Sequence, residues 1–226
     1  MSDADTRLTR LGMLDTTLLS DALDAMGLPG GTGAIRAQTQ PAQTHGRVRT
    51  VELGPLVQGQ AHGPHIATAA VANAQPGDVI VVANQGRTDV SCWGGLLSLG
   101  SQRRGVRGVI ADGLCRDVAE ARDLQFPVFS RGATPRTARN RLQQVASGVP
   151  IIIDGIPVDD GDYVLGDDCG VVFIPQDRID DVLTRAEWAR DREAAIAADI
   201  RRGIAIDEAM HDARLTSTAD RAPTID

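Results

Sequence analysis

The chain has 226 residues, 42% hydrophobic and 23% charged, enough for one sizeable core or at most two small domains of a globular protein. All 23 basic residues are arginine, which excludes Schiff-base aldolases, pyridoxal phosphate enzymes and nucleotide P-loops, because each needs a lysine amine. With a net charge of −7 and the arginines scattered, no basic field awaits a phosphate backbone, and nucleic acid is not expected as a partner.

The first ten residues carry both signs of charge and no apolar h-region, and no apolar run approaches 18 residues. No membrane span is expected, and the location expected is cytoplasmic. Helical spacing predicts a first helix over 16–26, stopped at Gly27, with Gly30, Gly31 and Gly33 forming a turn behind it. Strands are expected over 48–53 and 56–61, around Gly54-Pro55, and an Ala-rich helix over 66–74. His62 and His65 flank Gly63-Pro64 without a third ligand nearby and read as loop histidines, while His45 and His211 carry no signal.

The continuous apolar run from Asp78 to Ala83 predicts a strand covered on both faces. A polar loop is expected from Asn84 to Ser91, then a helix opened by Gly94-Gly95-Leu96-Leu97 and ending near Arg104-Gly105. A second buried strand spans 106–112 and turns through Asp112-Gly113, and Arg116-Asp117 follows just before a helix over 118–124. These are two consecutive βα units, and ligands of such sheets gather at the carboxyl ends of the strands. Unpaired amides at the Gly95 helix start suit a carboxylate, Arg116 suits a planar oxygen pair or an enolate, and Asp117 is a hard oxygen ligand for Mg²⁺ or Mn²⁺. Together they describe a site for a 2-oxo acid. Asp117 and Glu120 also read as an Asp-x-x-Glu capping box, which needs no ligand.

Short strands are expected near Val128, Ile151, Tyr163 and Val171, followed by a long helix capped by Asp177 and running to Arg202. On that helix Val182, Ala186, Ala189, Ile196 and Ile200 form one stripe with Glu193 in its middle. A carboxylate there is either ion-paired within the fold or aimed at a cation or arginine across an interface. Cys92, Cys115 and Cys169 fit neither a disulfide framework nor a zinc pattern and read as small buried hydrophobes. Residues 1–211 are expected to form a single domain, and 212–226 a frayed tail.

The stretch WGGLLSLGSQRRGVRGVIADGLCRD, preceded by PGDVIVV and followed by GDYVLGDDCGVVFIP, resembles the RraA-like family over roughly residues 20–203. That family includes 4-hydroxy-4-methyl-2-oxoglutarate aldolases, 4-carboxy-4-hydroxy-2-oxoadipate aldolases and regulators of ribonuclease E. The resemblance implies an α/β fold of the β/β/α swivelling-domain sandwich type with a long C-terminal helix, assembled as trimers or hexamers with sites between subunits. It makes Asp117 the direct metal ligand, Arg116 the substrate-binding and enolate-stabilising group, and the amides of Gly95, Leu96 and Leu97, behind Gly94, the cradle of the pyruvyl carboxylate. Glu193 matches the glutamate that the family brings from a neighbouring subunit to the water on the metal.

The aldolase signature is an acidic residue, twenty residues, then Arg-Asp, and here its leading position is Gly95. An Asp at a helix start is cheap in stability, so Gly95→Asp is expected to restore the missing carboxylate at little cost. The expected activity is a divalent-metal-dependent C–C lyase for 2-oxo acids acting through a pyruvate enolate, of the 4-hydroxy-4-methyl-2-oxoglutarate aldolase type, the oxaloacetate decarboxylase type, or both. The competing expectation is a non-catalytic RraA-like regulator that binds a protein through the same surface.

Overall fold

The computed structural model describes residues 3–40, 42–57 and 65–211. His62, residues 58–61 of the strand expected over 56–61, and the tail 212–226 lie outside these residues.

Two helices open the described chain, α1 (Asp3–Leu11) and α2 (Thr16–Asp24), followed by β1 (Arg36–Ala37) and β2 (Thr44–Pro55). Then come α3 (Thr68–Asn73), β3 (Asp78–Trp93), α4 (Gly95–Arg103), β4 (Gly108–Cys115), α5 (Val118–Asp123) and β5 (Val128–Ser130). The last third holds β6 (Leu142–Ser147), β7 (Ile151–Ile153), β8 (Ile156–Val158), β9 (Tyr163–Asp167), β10 (Gly170–Ile174), α6 (Ile179–Arg201) and α7 (Ile206–Ala209). Seven strands pair in the order β1-β5-β4-β3-β2-β9-β10, with β6 added beside β2, and β7-β8 is a separate hairpin. The pairs β2–β3, β3–β4 and β4–β5 are parallel. A bridge between Gly31 and Val172 nearly closes the sheet into a barrel, so the glycine turn expected at 30–33 is a closing staple.

The alternation along β3 explains why its sequence reads as continuously apolar. Val79 and Val81 pack inside the barrel with Ile110, Phe129 and Phe173, whereas Ile80 and Val82 pack outward with Val71, Leu97 and Ala121 from the helical layer. A third cluster buries Leu11, Leu19 and Leu23 of the first two helices against Leu165, Ile174 and the start of α6. This is the mixed α/β architecture with a long C-terminal helix that the resemblance implied. Among the described residues no helix is long and apolar enough to cross a membrane.

Several elements depart from expectation for identifiable reasons. α1 escaped detection because it has few apolar positions; it is tied to α6 by the ion pairs Arg7–Asp180 and Arg10–Glu187 at 2.5 and 2.8 Å. The polar stretch from Asn84 to Ser91 is strand, because β4 supplies pairing partners as far as Trp93, and register shifts at Gln85-Gly86 absorb the extra residues at positive φ. No turn forms at Asp112-Gly113. β4 runs on to Cys115, and Gly113 is required because a Cβ there would lie 2.8 Å from Asn84 Nδ2 and 3.0 Å from Cys92 Sγ. β2 starts earlier than expected, at Thr44, and runs through the expected break at Gly54-Pro55, where β6 pairs with it; residues 56–57 of the expected next strand are not strand. The expected cap Asp177 is displaced by Arg178, which makes no side-chain cap bond, while the helix stops at Arg201, close to the expected end, with Gly203 at φ +91° behind its C-cap Arg202. Cys92 and Cys115 are buried but Cys169 is exposed, which corrects its reading as a core residue.

His45, silent in the sequence, is packed against Gly12, the residue that follows α1. Burial and then the Arg107 charge lower its pKa from 6.5 to about 4. The unfolded chain therefore takes up the proton first on acidification, so this contribution to stability is complete above pH 6.5 and is lost as the pH falls towards 4. A shift of this size corresponds to about 3 kcal/mol, and solvent screening of a partly exposed ring reduces it to about 1–2 kcal/mol. Denaturant titrations should therefore show His45→Gln losing about 1 kcal/mol less than the parent between pH 7 and pH 4.5; parallel losses would refute the assignment.

Candidate active site

The carboxyl ends of β3 and β4 lie side by side, as two consecutive βα units require, and a cleft of about 430 Å³ opens there. Gly94, Gly95, Leu96, Leu97, Arg116 and Asp117 line it, so the candidate residues of the two junctions share one space. Gly94 is extended, and its lack of a side chain is essential, since a Cβ would fall 2.9 Å from Asp117 Oδ2 and 3.2 Å from Arg116 Cγ. Trp93 O accepts the Arg116 amide at 3.0 Å, and Trp93 Nε1 donates to Ser98 at 2.9 Å, which ties the end of β3 to β4 and to α4.

Asp117 sits immediately before α5 at φ +57°, a left-handed conformation that Asp and Asn adopt more readily than other non-glycine residues. Its carboxylate makes no cap to α5, so the capping-box alternative is set aside. Oδ2 instead accepts from Arg116 Nε at 2.9 Å and from the Gly95 amide at 3.1 Å. Burial pushes this carboxyl up, but those two donors outweigh it and hold it below the usual carboxylate range. The Gly95 amide, expected on a substrate carboxylate, is thus engaged by Asp117, and the amides of Leu96 and Leu97 remain as donors at the positive end of α4.

The space next to Gly95 is occupied by the end of the Glu120 side chain. A Cβ at this position would overlap Glu120 Oε2 and lie 2.8 Å from its carboxyl carbon and 3.3 Å from Asp117 Cβ. A carboxylate from α5 therefore already fills the place where a side chain at 95 would project, and Gly95→Asp would turn aside the end of the exposed, flexible Glu120 side chain. The signal was in the sequence as Arg-Asp-x-x-Glu: three residues after Asp117 puts Glu120 on the helix face next to it.

Cleft residues that sequence reasoning missed come from far along the chain: His65 and Ile66 before α3, and Thr137, Ala138 and Arg139 before β6. His65 Nδ1 is 3.1 Å from Ile66 O. Glu193 is not brought to this cleft within one chain. It is exposed in the second half of α6, which packs chiefly on α2, α1 and α7, and no ion-pair partner for it exists among the described residues. The intramolecular ion pair is thereby removed, and the expected stripe is buried only at Val182 and Ala186.

Asp117, on the wall of the cleft, offers hard oxygen donors of the kind that suit Mg²⁺ or Mn²⁺, and among the described residues its Oδ1 has no hydrogen-bond partner, while the Glu120 carboxylate lies beside Gly95. No group of three or more His, Cys, Asp or Glu side chains able to hold a metal occurs among the described residues. The set therefore fits a cation completed by water and substrate rather than by a protein cage.

A family model described as RraA-like, Aldolase/RraA, matches residues 16–173. Protein DlpA of Legionella pneumophila is 31% identical over 194 residues, 86% of this chain, and the chain spans only 31% of that protein's length. A putative 4-hydroxy-4-methyl-2-oxoglutarate aldolase of Halalkalibacterium halodurans is 33% identical over 199 residues, 85% of this chain and 90% of the relative. Among solved structures, RraAS2 of Streptomyces coelicolor, described as an unusual member of the RNase ES inhibitor RraA family, superposes with a TM-score of 0.76 at 25% identity. That match covers 88% of this chain and 96% of the other. With the family model spanning both βα junctions and most of the barrel, the chain belongs to the RraA-like family.

Proposed function

We propose that this chain is a divalent-metal-dependent lyase that cleaves C–C bonds of 2-oxo acids through a pyruvate enolate, of the 4-hydroxy-4-methyl-2-oxoglutarate aldolase type. Oxaloacetate decarboxylation passes through the same enolate and is expected beside it. The observation that carries the reading is the placement of Arg116, Asp117 and the α4 start in one cleft, with the Glu120 carboxylate occupying the space beside Gly95. The aldolase-named relative supports it.

In this reading the amides of Leu96 and Leu97 hold the 1-carboxylate, and Arg116 donates to the 2-oxo oxygen as that oxygen gains charge. Asp117 and Glu120 would hold a Mg²⁺ or Mn²⁺ ion, whose contribution when bound is Lewis-acid polarisation of the 2-oxo group. Cleavage removes a proton from the 4-hydroxyl, breaks the bond between C3 and C4, and returns a proton to C3. Glu120, taking the place of the acid absent at Gly95, is the carboxylate beside this exchange. Decarboxylation needs no base on a distal hydroxyl.

The same proposal includes a homotrimer or homohexamer acting on a small 2-oxo acid in the cytoplasm. Leu96, on the wall of the cleft, is 84% exposed in the single chain, and an apolar side chain so placed favours cover by another subunit. A neighbouring subunit would then bring its Glu193 to the site. The competing reading, a protein-binding regulator, draws on the likeness to the RNase ES inhibitor RraAS2. The paired Arg116 and Asp117 favour catalysis.

Pyruvate release from 4-hydroxy-4-methyl-2-oxoglutarate and from oxaloacetate tests the proposal. Excess EDTA should abolish release, and Mg²⁺ or Mn²⁺ should restore it. Full turnover in EDTA would overturn the metal mechanism, and no pyruvate from either substrate with any metal added would leave the regulator.

A further inference from the structure

We infer that His65 is the proton carrier of the cleft, taking the proton of the substrate's 4-hydroxyl and returning it to C3. This rests on the reading of the cleft as a 2-oxo acid site. The sheet order β4-β3-β2 sets the walls: Arg116 and the start of α4 stand at the ends of β4 and β3, and His65 lines the same cleft from the β2 side. Its place there is fixed by its neighbours. Ile66 is buried in one cluster with Trp93 and Leu97 of the cleft wall, the Ala67 amide donates to Gln144 Oε1 at 2.9 Å, and the Thr68 hydroxyl donates to the His65 carbonyl at 2.6 Å. Gln144 lies on β6, opposite Leu53 of β2. A substrate held by its 1-carboxylate and 2-oxo group at the ends of β3 and β4 has C3 and C4 left to reach across to that side.

His65 is exposed, so its ring fills no core, and its hydrogen bond sets its tautomer. Nδ1 lies 3.1 Å from Ile66 O, a carbonyl that can only accept, so the neutral ring carries its hydrogen on Nδ1 and keeps the lone pair on Nε2. The other ionisable side chains lining the cleft among the described residues are Arg116, Asp117 and Arg139. Guanidinium groups give up no proton, and Asp117, against the opposing effect of burial, is held below the usual carboxylate range by Arg116 and the Gly95 amide, which makes it a weak base. Glu120, beside Gly95, belongs to the cation in that reading. Imidazole is the side chain type that both takes and gives a proton near neutral pH. As the bond between C3 and C4 breaks, Nε2 takes the 4-hydroxyl proton, the oxygen on C4 becomes a carbonyl and the bonding pair enters the enolate. The same proton then passes from Nε2 to C3, which gives pyruvate and leaves the ring neutral again.

Exchange of the pyruvate methyl hydrogens in D₂O with Mg²⁺ and the full chain, followed by NMR, reads the step at C3 directly. Cleavage of 4-hydroxy-4-methyl-2-oxoglutarate and loss of oxaloacetate then compare a reaction that needs the carrier with one that does not. His65→Asn keeps an amide donor in the place of Nδ1 and lacks Nε2. It is expected to slow exchange and aldol cleavage by at least about 10²-fold while oxaloacetate loss stays within about threefold of the parent. His65→Ala should lose the same two activities, and added imidazole should restore part of both. Full exchange in His65→Asn would overturn the assignment. So would a fall of all three activities in both variants that imidazole does not relieve, since His65 would then be only part of the wall. A parent that neither exchanges nor cleaves would overturn the proposed function itself, and this inference with it.

Discussion

Asp117→Asn is expected to lower kcat/KM for pyruvate release on the order of 10³-fold, the upper end of what one electrostatic group supplies, while leaving the fold intact. The asymmetry follows from the residue's two roles. As backbone, position 117 sits at φ +57°, which Asn tolerates as well as Asp, and the amide oxygen can still accept from the Gly95 amide. As chemistry, the carboxylate is the charge that Arg116 and a cation would share, and neutral Asn provides none. The half-exposed ion pair with Arg116 contributes at most about 1 kcal/mol, so Tm should fall by only a few degrees. Asp117→Ala adds a backbone penalty and is the less informative variant. Steady-state kinetics with a parallel thermal melt checks this result. Activity within tenfold of the parent at an unchanged Tm would remove Asp117 from the metal site.

Arg116→Ala is expected to cost 10²–10³-fold in kcat/KM, divided between a higher KM and a lower kcat, because the guanidinium meets an oxygen that gains charge as the bond breaks. Arg116→Lys should recover only part of the loss. It keeps the charge but not the planar fork, and it weakens the restraint on Asp117. The backbone bond from the Arg116 amide to Trp93 O is independent of the side chain, so the end of β4 should stay in place. A loss confined to KM would make Arg116 a substrate anchor with no part in the transition state, and unchanged kinetics would reduce it to a restraint on Asp117.

The chemistry side of the cleft was readable because it is local. Gly94-Gly95 and Arg116-Asp117 each follow a strand directly, and two parallel neighbours place both junctions at the same sheet edge whatever the rest of the chain does. The opposite case is the segment with Thr137, Ala138 and Arg139. It has no periodicity of its own, and its position depends on β6 pairing with β2 nearly a hundred residues earlier. Asp117 shows a subtler limit: Asp-x-x-Glu reads as a capping box, and only the structure shows that the Asp117 side chain turns from α5 to Arg116 and the Gly95 amide.

Patterns of short range were decided within the chain itself. Alternate residues of Val79 to Val82 are apolar for two different cores, helices begin at Gly95 and Val118 where the turn residues allow them, and a chain without lysine has no amine side chain for a Schiff base. What needed the tertiary structure were outcomes of long-range competition. Polar residues 84–91 became strand because β4 offered hydrogen bonds that water would otherwise have supplied, and α1 formed because arginines met carboxylates on α6. Asp117 turned from a helix cap into an acceptor for Arg116 and the Gly95 amide because Gly94, without a side chain, lets its carboxylate come that close. Contacts of that kind are set by the absence of side-chain volume at one point and the presence of charge at another, and their partners meet only once the barrel has closed.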